Sequence, residues 1–464
     1  MSICDKILFE IRRGVRMDFY EYVLENKHLI IDKTKELLRI PSVLTEFDPD
    51  SEFPFGVEIN NSLHYMIDLA QSDGFVTKNV KNYAAHIEFG QGKEIVGVLC
   101  HLDVVPEGDN WTNPPFSPIV KEGKLYARGS DDDKGPTMAA YFALKFLKDL
   151  GVEPNKRIRI ILGTDEETGW RGITEYFKTE EMPTVGFAPD ASFPLIYAEK
   201  GIYTFDINGK LTDDSLLTFN AGDRYNVVPD YAECTLNVDL KEEFNKHLSF
   251  NGFRGEIKDD KYIVHGKRAH AMQPNLGINA AFILADFLNE HIDNEFTKFI
   301  SKYLSFDHLG EKLKIEHNDS EMKDFTMNPA VFEYSNKEFR IGVNCRYPKG
   351  WNKEAAIEKI EKATKLHKFE YQLISDNPVH YVDKNDPLVQ TLHAAYIKHT
   401  GDTETPLMTI GGGTYSRALD KAVAFGASMP GRKDVAHQVD EHVYIEDIFK
   451  ATAIYMDALF ELTK

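Results

Sequence analysis

Apolar positions near the start of the chain recur at helical spacing. From Met17, the stretch MDFYEYVLENKHLIIDKTKELLRI puts Tyr20, Val23, His28, Ile31, Leu37 and Leu38 on one side of a helix. Residues Glu94 to Val105, EIVGVLCHLDVV, form a continuous apolar run instead, the pattern of a buried strand, with His101 and Asp103 at its end. The pattern turns helical again over Pro136 to Leu150. Pro136 suits a first turn, Ala139, Phe142, Ala143, Phe146, Leu147 and Leu150 share a face, and Gly151 is a stop. Arg157 to Leu162 alternates Ile158, Ile160 and Leu162, a strand that feeds GTDEETG at Gly163 to Gly169. Strand, helix, strand in this order predicts an α/β sheet with parallel pairing, whose ligand crevice lies beyond the carboxyl ends of the strands. His101, Asp103, Glu166 and Glu167 all fall at those ends.

After about Lys200 the texture changes to short strands and polar turns, in IYTFDINGKL, AECTLNVDL, GEIKDDKYIVHG and FRIGVNCRYP. Helical pieces near Ala280 to Glu290 and Lys353 to Lys365 alternate with them. This predicts an α+β domain over 201–377 inserted into an α/β domain made of 17–200 and 378–464. The returning part carries helices at Pro387 to Thr400 and Ile445 to Leu462, the latter with Ile448, Thr452, Tyr455 and Leu459 on one face.

Composition narrows the class. A chain of 464 residues exceeds one hydrophobic core, and 42% hydrophobic residues with 30 phenylalanines are ample for two. A net charge of -20 argues against nucleic acid, whose phosphates call for clustered Lys and Arg. No run of 18 apolar residues is present, so no membrane span is expected. Cys4, Cys100, Cys234 and Cys345 lie far apart without a CxxC pair, which fits reduced thiols and a cytoplasmic location. MSICDKILFEIRRGVR has no secretory pattern. Residues 1–16 read as a non-native or disordered extension before a start at Met17, with Arg12 and Arg13 translated from a purine-rich ribosome-binding site.

Five pieces carry metal-competent side chains: HLD (His101 to Asp103), SDDDKGP (Ser130 to Pro136), DEE (Asp165 to Glu167), APD (Ala188 to Asp190) and AHQVDEH (Ala436 to His442). Two histidines with several carboxylates are the set for two divalent ions sharing a bridging carboxylate. The Asp two residues beyond His101 is apt to accept a ring N–H and hold the imidazole. One of the paired glutamates can ligate while its neighbour acts as a base. Each piece alone has a plainer reading. DDD is also an acidic approach to a helix N-terminus, Asp190 a turn Asp, and His437 competes with His442.

Taken in order, HLDVVP, GDNWTNPPFSP, ARGSDDDKGP, GTDEETG, APD and AHQVDEH resemble the dinuclear-zinc metallopeptidases that include aminoacylase, carboxypeptidase G, carnosinase and acetylornithine deacetylase. Within that family the chain looks most like the bacterial dipeptidases of the peptidase V type. This likeness runs from about Tyr20 to the C-terminus and includes GFAPDASFPLIYAEKG, NVVPD and TIGGGTYSRAL.

The resemblance implies an α/β catalytic domain with a mixed, largely parallel sheet flanked by helices, and an inserted α+β lid. It implies that Asp132 bridges two metal ions, that His101 and Asp190 complete one shell, and that Glu167 and His437 complete the other. Glu166 would be the general base and acid, Asp103 would orient His101, and the Asp132–Asp133 peptide would be cis. Asp131 departs from the apolar or small residue expected before that pair. In the lid, His270 would stabilise the oxygen of the tetrahedral intermediate. Asn226, Arg346 and the backbone of Gly411 to Thr414, among them Gly412 and Gly413, would hold the substrate carboxylate. GGGT lacks the Lys-Ser/Thr of a phosphate loop. The expected reaction is hydrolysis of short peptides, mainly dipeptides with a free amino terminus, by a monomer with two divalent ions, zinc or else manganese or cobalt. An N-acyl amino acid deacylase of the same superfamily is the rival, and a non-catalytic binding protein stands further off.

Overall fold

A computed structural model describes residues 18–464 and divides the chain into two compact units. One comprises the chain up to Tyr197, Val382–Met408 and Thr414–Lys464; the other comprises Ala198–Tyr381 with Thr409–Gly413. The reading of residues 1–16 and the start at Met17 lie outside the described residues.

The first unit is built on a mixed sheet. Its strands run Val76–Val80, Ala84–Phe89, Arg157–Gly163, Ile95–His101, Val185–Ala188 and Ala422–Ala424 in spatial order, and Ile196 pairs with Ala424 beyond them. The four strands from Arg157–Gly163 to Ala422–Ala424 pair in parallel, and the pairs outside them are antiparallel. Parallel strands are covered on both faces, which is why EIVGVLCH reads as unbroken apolar sequence: every residue of Ile95–His101 is buried. Helices Lys134–Asp149 and Ile445–Leu462 pack against each other, and Asp447 to Leu459 is buried apart from Lys450.

The N-terminal helix differs from its prediction. It breaks at Asn26 into Phe19–Glu25 and Lys27–Leu38, and the buried face lies to one side of the predicted one. Phe19, Val23, Ile30, Thr34, Leu37 and Leu38 are buried, whereas His28 is exposed and Tyr20 and Ile31 are only partly covered.

The second unit is α+β. An antiparallel sheet of eight strands has the order Arg254–Lys258, Lys261–His265, Tyr231–Leu236, Leu216–Ala221, Thr326–Ser335, Glu338–Tyr347, Gly201–Lys210 and Glu370–Asn377. Alternate residues such as Tyr203, Phe205 and Ile207 enter one core with Phe282 and Phe287 of helix Ala280–His291, Phe299 of Glu295–Tyr303 and Ile360 of Lys353–Leu366. A period of two on the strands and of 3.6 on the helices therefore meets in one apolar layer.

Candidate active site

Three neighbouring parallel strands of the first unit deliver the site. His101 ends the middle strand and pairs in register with Gly163, the last residue of the strand beside it. Glu166 and Glu167 follow Gly163 by a few residues, and Asp190 follows the end of Val185–Ala188 on the other side. The acidic loop Asp131 to Asp133 enters from the start of helix Lys134–Asp149, whose dipole favours carboxylates there. Close approach makes Gly135 necessary, because a Cβ there would lie 2.0 Å from the carbonyl oxygen of Ser130. The Asp132–Asp133 peptide is cis.

The three aspartates of SDDDKGP have different surroundings. Asp132 divides its carboxylate: Oδ1 lies 3.0 Å from His101 Nε2, and Oδ2 lies 3.0 Å from His437 Nε2. Asp133 accepts the backbone N–H of His101 and the hydroxyl of Thr137, each at 3.1 Å. Asp131 accepts the Ser428 hydroxyl at 3.2 Å. Burial, Glu441 and Asp132 push its carboxyl up to about 7. Lys134, also buried, donates to the carbonyl of Ile40 at 2.7 Å and so ties this loop to the end of helix Lys27–Leu38.

His437 Nε2 also lies 3.0 Å from Glu167 Oε1, and Asp190 Oδ1 is 3.9 Å from His101 Nε2. Potential ligand atoms within 4.8 Å of one another form two sets, His101 with Asp132 and Glu167, and His101 with Glu166 and Asp190. The structure therefore brings together His101, Asp132, Glu166, Glu167, Asp190 and His437. His442 has a different neighbourhood: its Nδ1 meets the Asp440 carbonyl at 2.9 Å and its ring packs 4.9 Å from Tyr126. Asp165, the first acid of DEE, is held by Arg171 through two bonds of 2.7 Å.

Asp103 differs in detail from the expectation that its carboxylate takes the ring of His101. His101 Nδ1 donates to the backbone carbonyl of Asp103 at 2.9 Å, and the carboxylate is farther, at 3.6 Å. That carboxylate accepts the backbone N–H groups of Glu166 and Glu167 instead, both at 3.1 Å. The paired glutamates are thus oriented through their main chain.

Burial drives the carboxyl of Glu166 well above its usual range, assisted by Asp190, while Asp190 itself rises to about 6 through burial and the charge of Asp132. His437 is pushed up to about 10 by its bonds to Asp132 and Glu167. Burial opposes charge on His101, yet its bonds to Asp103, Asp132 and Asp190 outweigh that and raise it. Desolvation likewise opposes ionisation of Asp132, but the two histidines overcome it and lower its pKa. This is a concentrated negative charge that attracts cations.

Further side chains that hold this arrangement are not singled out by sequence reading. Buried Glu441 accepts the N–H groups of Asp131 and Asp132 through Oε1, at 2.9 and 3.2 Å, and binds Arg128 at 2.5 Å through Oε2. Tyr415 stands edge-on to His101 with ring centroids 6.1 Å apart. Glu441 lies within AHQVDEH and Tyr415 within TIGGGTYSRAL, and only a fold puts them against His101 and the acidic loop.

The other predicted residues divide between the units. Thr414 is in the first unit, buried, and its hydroxyl accepts the Ser416 N–H at 3.3 Å. Gly412 and Gly413 belong to the second unit with His270, Asn226 and Arg346. There, His270 bridges Val227 as a strand would, and the carbonyl of Asn226 accepts the Ala271 N–H at 2.9 Å. Arg346 is buried and donates to Asn344 Oδ1 at 2.8 Å and to the Gly411 carbonyl at 3.2 Å. Partial desolvation of its ring and then the Arg346 charge lower the pKa of His270.

Known proteins are similar to this chain over most of its length. Residues 97–461 match Peptidase family M20/M25/M40. A Staphylococcus haemolyticus protein described as "Putative dipeptidase" is 44% identical over 463 residues, covering 95% of this chain and 98% of that one. Among solved structures, the fold is similar to aminopeptidase PepT of Bacillus cereus, with a TM-score of 0.57 at 16% identity, covering 95% of this chain and 99% of that one. It is also similar to human carnosine dipeptidase 1, with a TM-score of 0.55 at 15% identity, covering 96% and 98% respectively. No helix among the described residues is long and apolar enough to cross a membrane. From its strand-end histidine and acids to this match over most of its length, the chain belongs to Peptidase family M20/M25/M40.

Proposed function

We propose that the chain is a metal-dependent dipeptidase that hydrolyses short peptides with a free amino terminus. One observation carries the reading. The Asp132 carboxylate turns one oxygen to His101 and the other to His437, the placement of a group shared by two cations.

The donor set fits two divalent ions. His101 spends its Nδ1 proton on a carbonyl, and the pull of the surrounding carboxylates means that its Nε2 lone pair and the Asp132 oxygen 3.0 Å away share a proton until a metal ion replaces it. Two such acceptors face each other stably only around a proton or a cation. Asp132 would be shared, with His101 and Asp190 on one ion and Glu167 and His437 on the other. Zinc suits these ligands, as do manganese and cobalt. When bound, the ions supply Lewis-acid polarisation and neutralise the charge that develops in amide hydrolysis.

The chain's own groups do the rest. Glu166 takes a proton from the attacking water and returns it to the leaving amine; its buried carboxyl, raised in pKa, retains a proton readily between the two steps. Asp103 holds the main chain of both glutamates so that the base and the ligand face the same reacting centre. We assign to His270 the N–H that stabilises the tetrahedral oxygen. Asn226, Arg346, Gly412, Gly413 and Thr414 are assigned to the substrate carboxylate, for which the planar fork of an arginine is apt. In this reading the inserted region 201–377 is the lid domain, 17–200 with 378–464 is the catalytic domain, and the protein acts as a monomer. The 44% identity to a relative described as a "Putative dipeptidase" supports the peptide over the acyl substrate.

The test is amine release from an unblocked dipeptide and from its N-acetylated twin, after chelator stripping and again after zinc or manganese is restored. Metal-dependent cleavage of the free dipeptide alone is expected. Cleavage of the acetyl bond alone would move the protein to the deacylases.

A further inference from the structure

A cleft of about 450 Å³ opens beside the candidate metal ligands of the first unit. Asp132 and Asp190 form part of its wall, Phe193, Met408 and Met429 give it apolar surface, and Asp131 lines it as well. This is room for an amino-acid residue next to the reacting centre. The charge balance of the wall is unusual. Asp132 and Asp190 both face His101, whereas the side-chain contact of Asp131 is the hydroxyl of Ser428 at 3.2 Å. Arg432, also on the wall, is engaged with Asp447 at 2.7 and 2.9 Å and with Glu446 at 2.7 Å. Lys433 and Asp434, both exposed, complete the charged lining.

A largely enclosed carboxylate that meets only a neutral hydroxyl is stabilised by a cation arriving with the ligand. Asp131 is also held in advance. Its backbone N–H is fixed by Glu441 at 2.9 Å, which in turn is fixed by Arg128, so the main chain that carries the carboxylate is set beside the cleft. The apolar wall suits the hydrocarbon part of the same ligand.

We propose that Asp131 is a specificity-determining residue that binds an ammonium group of the substrate's first residue. This rests on the dipeptidase reading for its biological substrate, but its chemistry is that of an alkylammonium with an apolar body. The ammonium comes either from the free amino terminus or from a lysine-like side chain.

Binding to the metal-loaded protein separates these sources without requiring turnover. The probes are L-norleucinamide, with an α-ammonium only, L-lysinamide, with both, and N-acetyl-L-norleucinamide, with neither, each titrated by calorimetry into wild type and Asp131→Asn. For the α-ammonium source, Asp131→Asn weakens norleucinamide and lysinamide alike by about tenfold or more and leaves the acetylated probe unchanged. For the side-chain source, only lysinamide weakens. Equal binding of all three probes to both proteins overturns the proposal. So does equal weakening of all three, or a lowered metal content in the variant, either of which makes Asp131 a structural or ligating group. Asp131→Glu keeps the charge and should recover part of the loss. Ammonium binding without peptide cleavage by the wild type would reject the dipeptidase reading and leave Asp131 standing.

Discussion

The two units present their functional candidates in opposite ways. In the first, His101, Asp132, His437 and Glu167 form a chain of contacts of 3.0 Å each, with His101 at a strand end, the Asp132 main chain held by Glu441 and that of Glu167 by Asp103. In the second, His270 and Asn226 are exposed on turns that backbone bonds hold, and Arg346 alone is buried. The first arrangement stores charge that calls for metal before any substrate arrives. In the proposed reading the second offers donors whose task begins with a ligand. Loss of a first-unit metal-site group should therefore act on metal or on the proton, and loss of a second-unit donor on rate or substrate binding with the metal content unchanged.

The sharpest break of that comparison is Glu166→Gln. It should lower kcat by about 10²–10⁴ while the metal content stays that of wild type, read by single-turnover kinetics beside elemental analysis. Loss of metal instead would reverse the roles of Glu166 and Glu167. His270→Ala comes next, with an expected fall of about 10²–10³ in kcat and unchanged metal content and melting temperature. Full activity in that variant would remove His270 from the chemistry.

Gly163 tests how tightly the first-unit site is built. A Cβ there would lie 2.0 Å from the hydroxyl oxygen of Tyr415, a buried group with no hydrogen-bond partner. Gly163→Ala should cost about 1–3 kcal/mol in urea unfolding, and adding Tyr415→Phe should recover part of it. An additive pair would show that the contact is not the cause.

A smaller effect tests whether stability and the site are separable. His86 is buried, its Nδ1 lies 2.7 Å from Tyr176 Oη, and burial followed by the charge of Arg159 lowers its pKa from 6.5 to about 4. A histidine depressed on folding contributes stability that is complete above the unfolded value and is lost as pH falls from about 6.5 toward 4. His86→Gln should flatten that part of the stability profile relative to wild type, as read by denaturant midpoints at several pH values.

Much of this was legible one segment at a time. The buried strand Ile95–His101, the helix after the acidic loop, the strand into GTDEETG and the C-terminal helix Ile445–Leu462 all follow from local periodicity, because burial on a sheet or helix repeats every two or 3.6 residues. The N-terminal helices were read with the inner face turned too far: Phe19, Val23, Ile30, Thr34 and Leu37 keep one face across the break at Asn26, and His28 falls opposite them. Candidate metal ligands were readable as residue types at element ends, but their surroundings were not. DDD gives no sign that its three acids meet a hydroxyl, two imidazoles and a backbone N–H respectively. DEE gives none that Asp165 belongs to Arg171. Residue type alone left His437 and His442 open, because four residues in a loop carry no fixed direction; the family resemblance chose His437, which lies 3.0 Å from Glu167 while His442 meets the Asp440 carbonyl.

By itself the sequence determined the alternation of elements, the two styles of sheet and the supply of histidines and carboxylates, all of which are local in the chain. Tertiary structure alone decided that Asp132 divides its carboxylate between partners 31 and 305 positions away, one of them His101 and the other His437. It also decided that Glu441 reaches back 310 positions to hold Asp131. Such contacts depend on how helices and strands pack, and a bond of about 3 Å is set by the sum of all that packing and by no nearby residue.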